Sequence, residues 1–277
     1  MFCDRGPMAA LYPPGQTGFH DLSERPTNID QSAPHGAGWS QIRRLKTPRT
    51  AFVAVSVVGL GLAAGAASLV ADGTPDAAMQ IGAGIFALLA GVAGMGLARD
   101  YPHSALGLCN SVTLLRMSLA AALVAALVTG GGEAWPLFTV AALAFALDGV
   151  DGYLARREGL TSAFGARFDM EVDSILALTL AALAFQSGAA GAYVLLLGLP
   201  RYAFGAAALI WPWMTAQLPE RFSRKVVCVI QIAVLLAMLF PPAGSPFTDI
   251  LAGVAAMALI WSFWRDVDWL RRTARTS

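Results

Sequence analysis

The chain has 277 residues, of which 56% are hydrophobic and only 13% charged, with a net charge of +1 and a mean hydropathy of +0.59. A soluble domain carries about a quarter charged residues, so this composition argues against an ordinary water-soluble protein and against disorder over most of the chain. The balanced charge gives no global attraction to nucleic acid, so any basic function must be local.

Residues 1–50 are rich in Pro, Gly, Ser, Asn and charge and have no sustained period, which predicts a flexible cytosolic tail. No apolar run of signal-peptide length precedes Arg43, so no cleaved signal is expected. The tail closes on a basic cluster of Arg43, Arg44, Lys46 and Arg49. From Ala51 onward apolar runs repeat between short polar breaks. A spanning helix needs about 20 mostly apolar residues. Eight spans are predicted, at 51–71, 78–98, 105–129, 134–155, 165–186, 190–212, 226–241 and 248–264. The sixth is interrupted by Pro200 and Arg201, and the seventh is short before Pro241 and Pro242. With the Arg43–Arg49 cluster in the cytosol, Lys and Arg fall in every second loop, as the positive-inside rule requires. An odd number of spans would break that alternation. The expected fold is all-α, a polytopic membrane helical bundle with both termini cytosolic. Cys3, Cys109 and Cys228 lack zinc or redox spacing and read as small apolar residues or tail.

The predicted fourth and fifth spans carry Asp148, Asp151, Asp169 and Asp173. A carboxylate at a helix centre costs about 2.5–3.5 kcal/mol on the insertion scale, so four summed naively cost roughly 10–14 kcal/mol. Position relieves part of this. Asp148 precedes Arg156 by eight residues and Asp173 follows Gly165 by eight, which places both about 12 Å below the cytosolic loop. Asp148, Asp151, Gly152, Ala155 and Arg156 share a sector about 140° wide, and Gly165, Asp169 and Asp173 recur every fourth residue on the next helix. The short connection predicts antiparallel neighbours whose acidic faces meet. Converging carboxylates without His or Cys form a hard-oxygen site for Mg²⁺ or Mn²⁺, one ion or two. Glu171 points about 200° away and is expected at a helix interface. Arg156 is either a counter-ion to the acids or a phosphate clamp.

Read from Asp148, the chain is D-x-x-D-G-x-x-A-R, eight residues, then G-x-x-x-D-x-x-x-D. This resembles the signature of the CDP-alcohol phosphotransferases, also called CDP-alcohol phosphatidyltransferases, with every fixed position filled. A chance match is on the order of 10⁻¹⁰ per start position at average residue frequencies. The resemblance covers about residues 105–265, and it divides the chain into the tail, two extra spans (51–98), the family domain (105–265) and a basic cytosolic tail (266–277). It implies an integral-membrane enzyme of phospholipid synthesis. Such an enzyme transfers phosphatidyl from CDP-diacylglycerol to a small hydroxyl-bearing acceptor and releases CMP, at the cytosolic face of the plasma (bacterial inner) membrane. Asp148, Asp151, Asp169 and Asp173 would hold the metal, with Asp173 also the base for the incoming hydroxyl. Gly152, Ala155, Arg156 and Gly165 would line the CDP pocket beside Asp148. Asn110, Thr113 and Arg116 match the family's N-x-x-T-x-x-R pattern; the first two are assigned to the donor pocket and Arg116 to the acceptor side. A homodimer is also implied.

The acceptor is less well marked. An intramembrane arginine is a functional candidate, which singles out Arg201. Arg221, Arg224 and Lys225 either bind the acceptor or anchor the seventh span. The run R-F-S-R-K-V-V-C-V-I-Q departs from the G-K-x-K-T pattern of phosphatidylglycerophosphate synthases, which weakens the case for glycerol 3-phosphate. Two other readings of the buried acids are a cation or proton-coupled transporter and a scaffold that has lost catalysis.

Overall fold

The computed structural model describes residues 47–158, 160–216, 222–241 and 247–276. The tail up to Lys46, with Arg43 and Arg44, lies outside the described residues, as does Arg221. Every regular element described is helical: α1 (Pro48–Val70), α2 (Pro75–Asp100), α3 (Leu108–Val128), α4 (Ala134–Glu158), α5 (Ala163–Gln186), α6 (Leu195–Gly198), α7 (Pro200–Ile210), α8 (Phe222–Leu239) and α9 (Phe247–Thr276). Short 3₁₀ turns at Ala192–Val194 and Pro212–Thr215 flank α6 and α7.

Local chemistry sets the ends. Pro48 and Pro75 open α1 and α2, where a missing N–H costs nothing. The Thr47 hydroxyl accepts from the Thr50 N–H, and the Ser162 hydroxyl caps α5 by accepting from the Gly165 N–H at 3.0 Å. At the opposite end of the bundle the α1–α2 turn meets the α3–α4 turn through a bridge between Ala71 and Gly132. A Cβ at Gly132 would lie 1.7 Å from the Val70 carbonyl oxygen, so that approach requires glycine.

Helix α3 is the axis of the molecule. Of its apolar span 67% is buried, against 22–28% for α1, α2 and α9. It packs against α1, α2, α4 and α5. Its core face is mostly alanine and leucine, including Ala120, Ala121, Ala122, Leu123, Ala125 and Ala126. Small side chains let helices approach closely where lipid offers no hydrophobic drive to association. Large apolar side chains such as Leu69, Leu88 and Leu209 point outward, as a bilayer-facing surface requires.

Helices α1, α2, α3 and α9 are each long and apolar enough to cross a membrane, which makes the chain an integral membrane protein. The sequence predicts eight spans, and the remaining predicted spans differ from a plain apolar helix for physical reasons. The sixth is broken: α6 and α7 bend by 66° at Leu199–Pro200, because proline supplies no N–H and its ring crowds the preceding turn. Helix α5 carries Asp169, Glu171 and Asp173 in its first half, and α4 carries Asp148 and Asp151 in its second half. Helix α9 continues without a break from its apolar segment through Arg265, Arg271 and Arg272, a region expected as a tail. The expected seam between α4 and α5 also differs. Among the described residues these helices make little direct contact, and both instead pack on α3 and α8.

Candidate functional site

Three acids and one arginine form the polar centre. Helix α4 supplies Asp148, α5 supplies Asp169 and Asp173, and one carboxylate oxygen from each lies within 4.8 Å of the others. Like charges so close repel strongly in a low-dielectric interior. Helix α3 supplies the compensation. The Arg116 guanidinium donates to Asp169 at 2.7 Å and to Asp173, and lies 3.2 Å from Asp148. Its side chain is 1% exposed; those of Asp169, Asp148 and Asp173 are 12%, 15% and 30% exposed. The fork of N–H donors can serve several carboxylates at once, which a lysine point charge cannot.

The sequence assigns Arg116 to the acceptor side; the structure places it among the acids as their shared counter-ion. It also explains why α4 and α5 need no direct seam, since α3 inserts a cation between their carboxylates. Among the described residues three carboxylates meet one guanidinium, which leaves a net negative charge that suits a divalent ion. The donors are all hard oxygens, so the residues present fit a metal such as Mg²⁺ or Mn²⁺. Asp151, Gly152, Ala155 and Arg156 belong to α4, but their side chains lie outside the described residues.

The candidate donor residues on α3 and α5 come together at the helix starts. Asn110 is 3% exposed. Its Nδ2 donates to the Tyr101 hydroxyl at 3.3 Å, and its Oδ1 faces Gly165, where a Cβ would approach to 3.0 Å. Gly165 therefore permits the close crossing of α3 and α5. Thr113 is buried, and its hydroxyl donates to the Cys109 carbonyl of its own helix at 3.0 Å.

A cavity of about 350 Å³ opens from the acids, within the size range of small-molecule sites. Arg116, Asp148, Asp173, Arg201, Arg224 and Lys225 all line it. Four of the predicted acceptor residues, Arg116 among them, thus line the same space as Asp148 and Asp173. Arg201 pairs with Glu171 and donates to the Met170 sulfur at 3.0 Å, which puts Glu171 on a helix interface, away from the acid cluster. Arg224 binds Asp266 with two N–H groups at 2.8 and 3.2 Å. Asp266, a lining residue only 5% exposed, was not legible as such; the signal was an acid among the basic residues toward the C-terminal end of α9. Lys225 has no ion pair with another described residue and leaves its charge to the cavity. Gln231, buried in the same wall, donates to the Leu197 carbonyl, whose in-helix pairing is disturbed by the break at Pro200. Asn110, Thr113 and Gly165 are not among the residues that line this cavity.

A family model described as CDP-alcohol phosphatidyltransferase matches residues 106–264, more than half of the chain. Helices α1 and α2 lie outside the match. No curated protein and no solved structure matches the chain.

Proposed function

Because the chain belongs to the CDP-alcohol phosphatidyltransferase family, a family of membrane transferases of phosphate-containing groups, we propose that it transfers phosphatidyl from CDP-diacylglycerol to a small hydroxyl-bearing acceptor and releases CMP. The observation that carries this reading is the convergence of Asp148, Asp169 and Asp173 within 4.8 Å, beside a cavity that Arg201, Arg224 and Lys225 also line.

Asp148, Asp169 and Asp173, with Asp151 one turn along α4 from Asp148, would hold Mg²⁺ or Mn²⁺. A divalent ion bound there supplies positive charge to the diphosphate of the donor. Asn110 and Gly165, with Thr113, Gly152, Ala155 and Arg156, form the nucleotide side. Arg116 keeps the carboxylates together at close range and fixes their orientation. Asp173, the most exposed of the three acids, faces the cavity and accepts the proton of the incoming hydroxyl. The hydroxyl oxygen then forms a bond to the lipid-linked phosphorus, the bond from that phosphorus to the CMP oxygen breaks, and CMP leaves with the electron pair. Arg201, Arg224, Lys225 and Arg221 orient the acceptor. The lipid tails stay in the bilayer while the headgroup reaches the acids, on the cytosolic side by the distribution of Lys and Arg.

The test uses the purified protein in lipid nanodiscs with CDP-diacylglycerol, a panel of acceptor alcohols and alcohol phosphates, and Mg²⁺ or Mn²⁺. Metal-dependent CMP release that needs an acceptor and disappears in Asp173→Ala supports the reading. Cation flux in vesicles with no CMP release under any acceptor refutes it.

A further inference from the structure

Outside the acids, a polar cluster gathers at Tyr101, in the segment that joins the N-terminal helix pair to α3. The Tyr101 hydroxyl donates to the Ala105 carbonyl at 2.9 Å and accepts from the Gly107 N–H at 3.3 Å and from Asn110 Nδ2 at 3.3 Å. Its ring meets Phe164 edge-on at 5.9 Å and His103 at 5.5 Å. His103 Nε2 lies 3.0 Å from the Thr161 carbonyl oxygen, in the segment that leads into α5. The segment after α2 thus touches the beginnings of both α3 and α5.

We propose that Tyr101 is a positioning residue for the nucleotide side of the site, acting through the Asn110 amide; this rests on the reading of Asn110 as donor-binding. The logic is one of hydrogen-bond direction. The single phenolic hydrogen is committed to Ala105, so the phenolic oxygen can only accept from Asn110. That forces the Nδ2 end of the amide toward Tyr101 and the Oδ1 end toward Gly165. An asparagine amide is otherwise free to turn about a broad, roughly two-fold torsion, and a turned amide would present donors where the site has an acceptor. The segment that follows α2 thus sets the polarity of Asn110.

The variant Tyr101→Phe removes the hydroxyl and keeps the ring against Phe164. The measurements are calorimetric binding of CDP with Mg²⁺ to the full-length protein in nanodiscs, and KM and kcat for CDP-diacylglycerol. The loss of one net hydrogen bond predicts a rise in CDP Kd and donor KM of about three- to tenfold. The acceptor KM and kcat should stay within about twofold, in the range of an unperturbed site. In an Asn110→Ala background the same change should add no further loss in CDP binding, because the two residues act as a unit. An unchanged CDP Kd in Tyr101→Phe, an additive double variant, or parallel losses in kcat and both KM values overturns the inference while leaving the transferase reading intact. Failure of the wild-type chain to bind CDP at all overturns both.

Discussion

Replacing Arg116 with methionine isolates the role of the buried cation. The side chain is 1% exposed and serves three carboxylates, so Arg116→Met removes the cation they share and leaves three carboxylates within 4.8 Å. Removing one partner of a buried ion pair costs about 3–5 kcal/mol. For a chain of this size each kcal/mol is worth about 2–4 °C, so the melting temperature in metal-free buffer should fall by roughly 6–20 °C. A ligand that binds the folded state restores stability by mass action, about 2.7 kcal/mol at 100 times its Kd. A divalent ion in the variant meets one more net negative charge than in the wild type, so Mg²⁺ should stabilise Arg116→Met more than the wild type and narrow the gap. The assay is thermal unfolding in nanodiscs with EDTA and across a Mg²⁺ series. A variant that melts within about 2 °C of the wild type in EDTA, below the shift expected for even 1 kcal/mol, refutes the shared counter-ion. A gap that Mg²⁺ leaves unchanged refutes the link between that arginine and the metal.

Gly165→Ala places a Cβ 3.0 Å from Asn110 Oδ1 and 3.2 Å from Ser162 Oγ; the amide must shift, and the donor KM should rise several-fold with the acceptor KM unchanged. Equal donor KM values would detach Asn110 from the nucleotide. Lys225→Ala removes the cavity's cation that has no described ion-pair partner, and should raise the acceptor KM while sparing CDP binding; the reverse pattern would assign Lys225 to the donor. Gln231→Leu leaves the Leu197 carbonyl without its side-chain donor and should cost about 1–3 kcal/mol in unfolding experiments; unchanged stability would mean the broken helix needs no such partner.

The acids were legible because spacing alone decides which residues share a helix face. Asp169 and Asp173, four apart, sit together on α5, and Asp148 meets them from α4. Their partner was not legible. Asn110, Thr113 and Arg116 at intervals of three predict a shared face of α3, yet whether that face meets the acids depends on how three helices pack. Applied to Arg116, the cost of burying a charge in a membrane would have demanded acidic partners, and the acids needed a cation. The same pairing logic joins Arg201 to Glu171 and Arg224 to Asp266, residues separated by 30 and 42 positions. The break at Pro200 was visible as a proline beside an arginine; its size, 66°, was not. The role of Tyr101 was silent, because a tyrosine in a short linker has no periodicity to read.

Titrating Mn²⁺ into the protein, followed by electron paramagnetic resonance with and without CDP, tests the central claim most directly. The account predicts saturable Mn²⁺ binding by the wild type, tightening when CDP is added, and loss of both in Asp169→Asn with the fold retained. Wild-type protein that leaves all added Mn²⁺ free even with CDP, or Asp169→Asn protein that binds it as the wild type does, would contradict a metal held by the acids of α4 and α5.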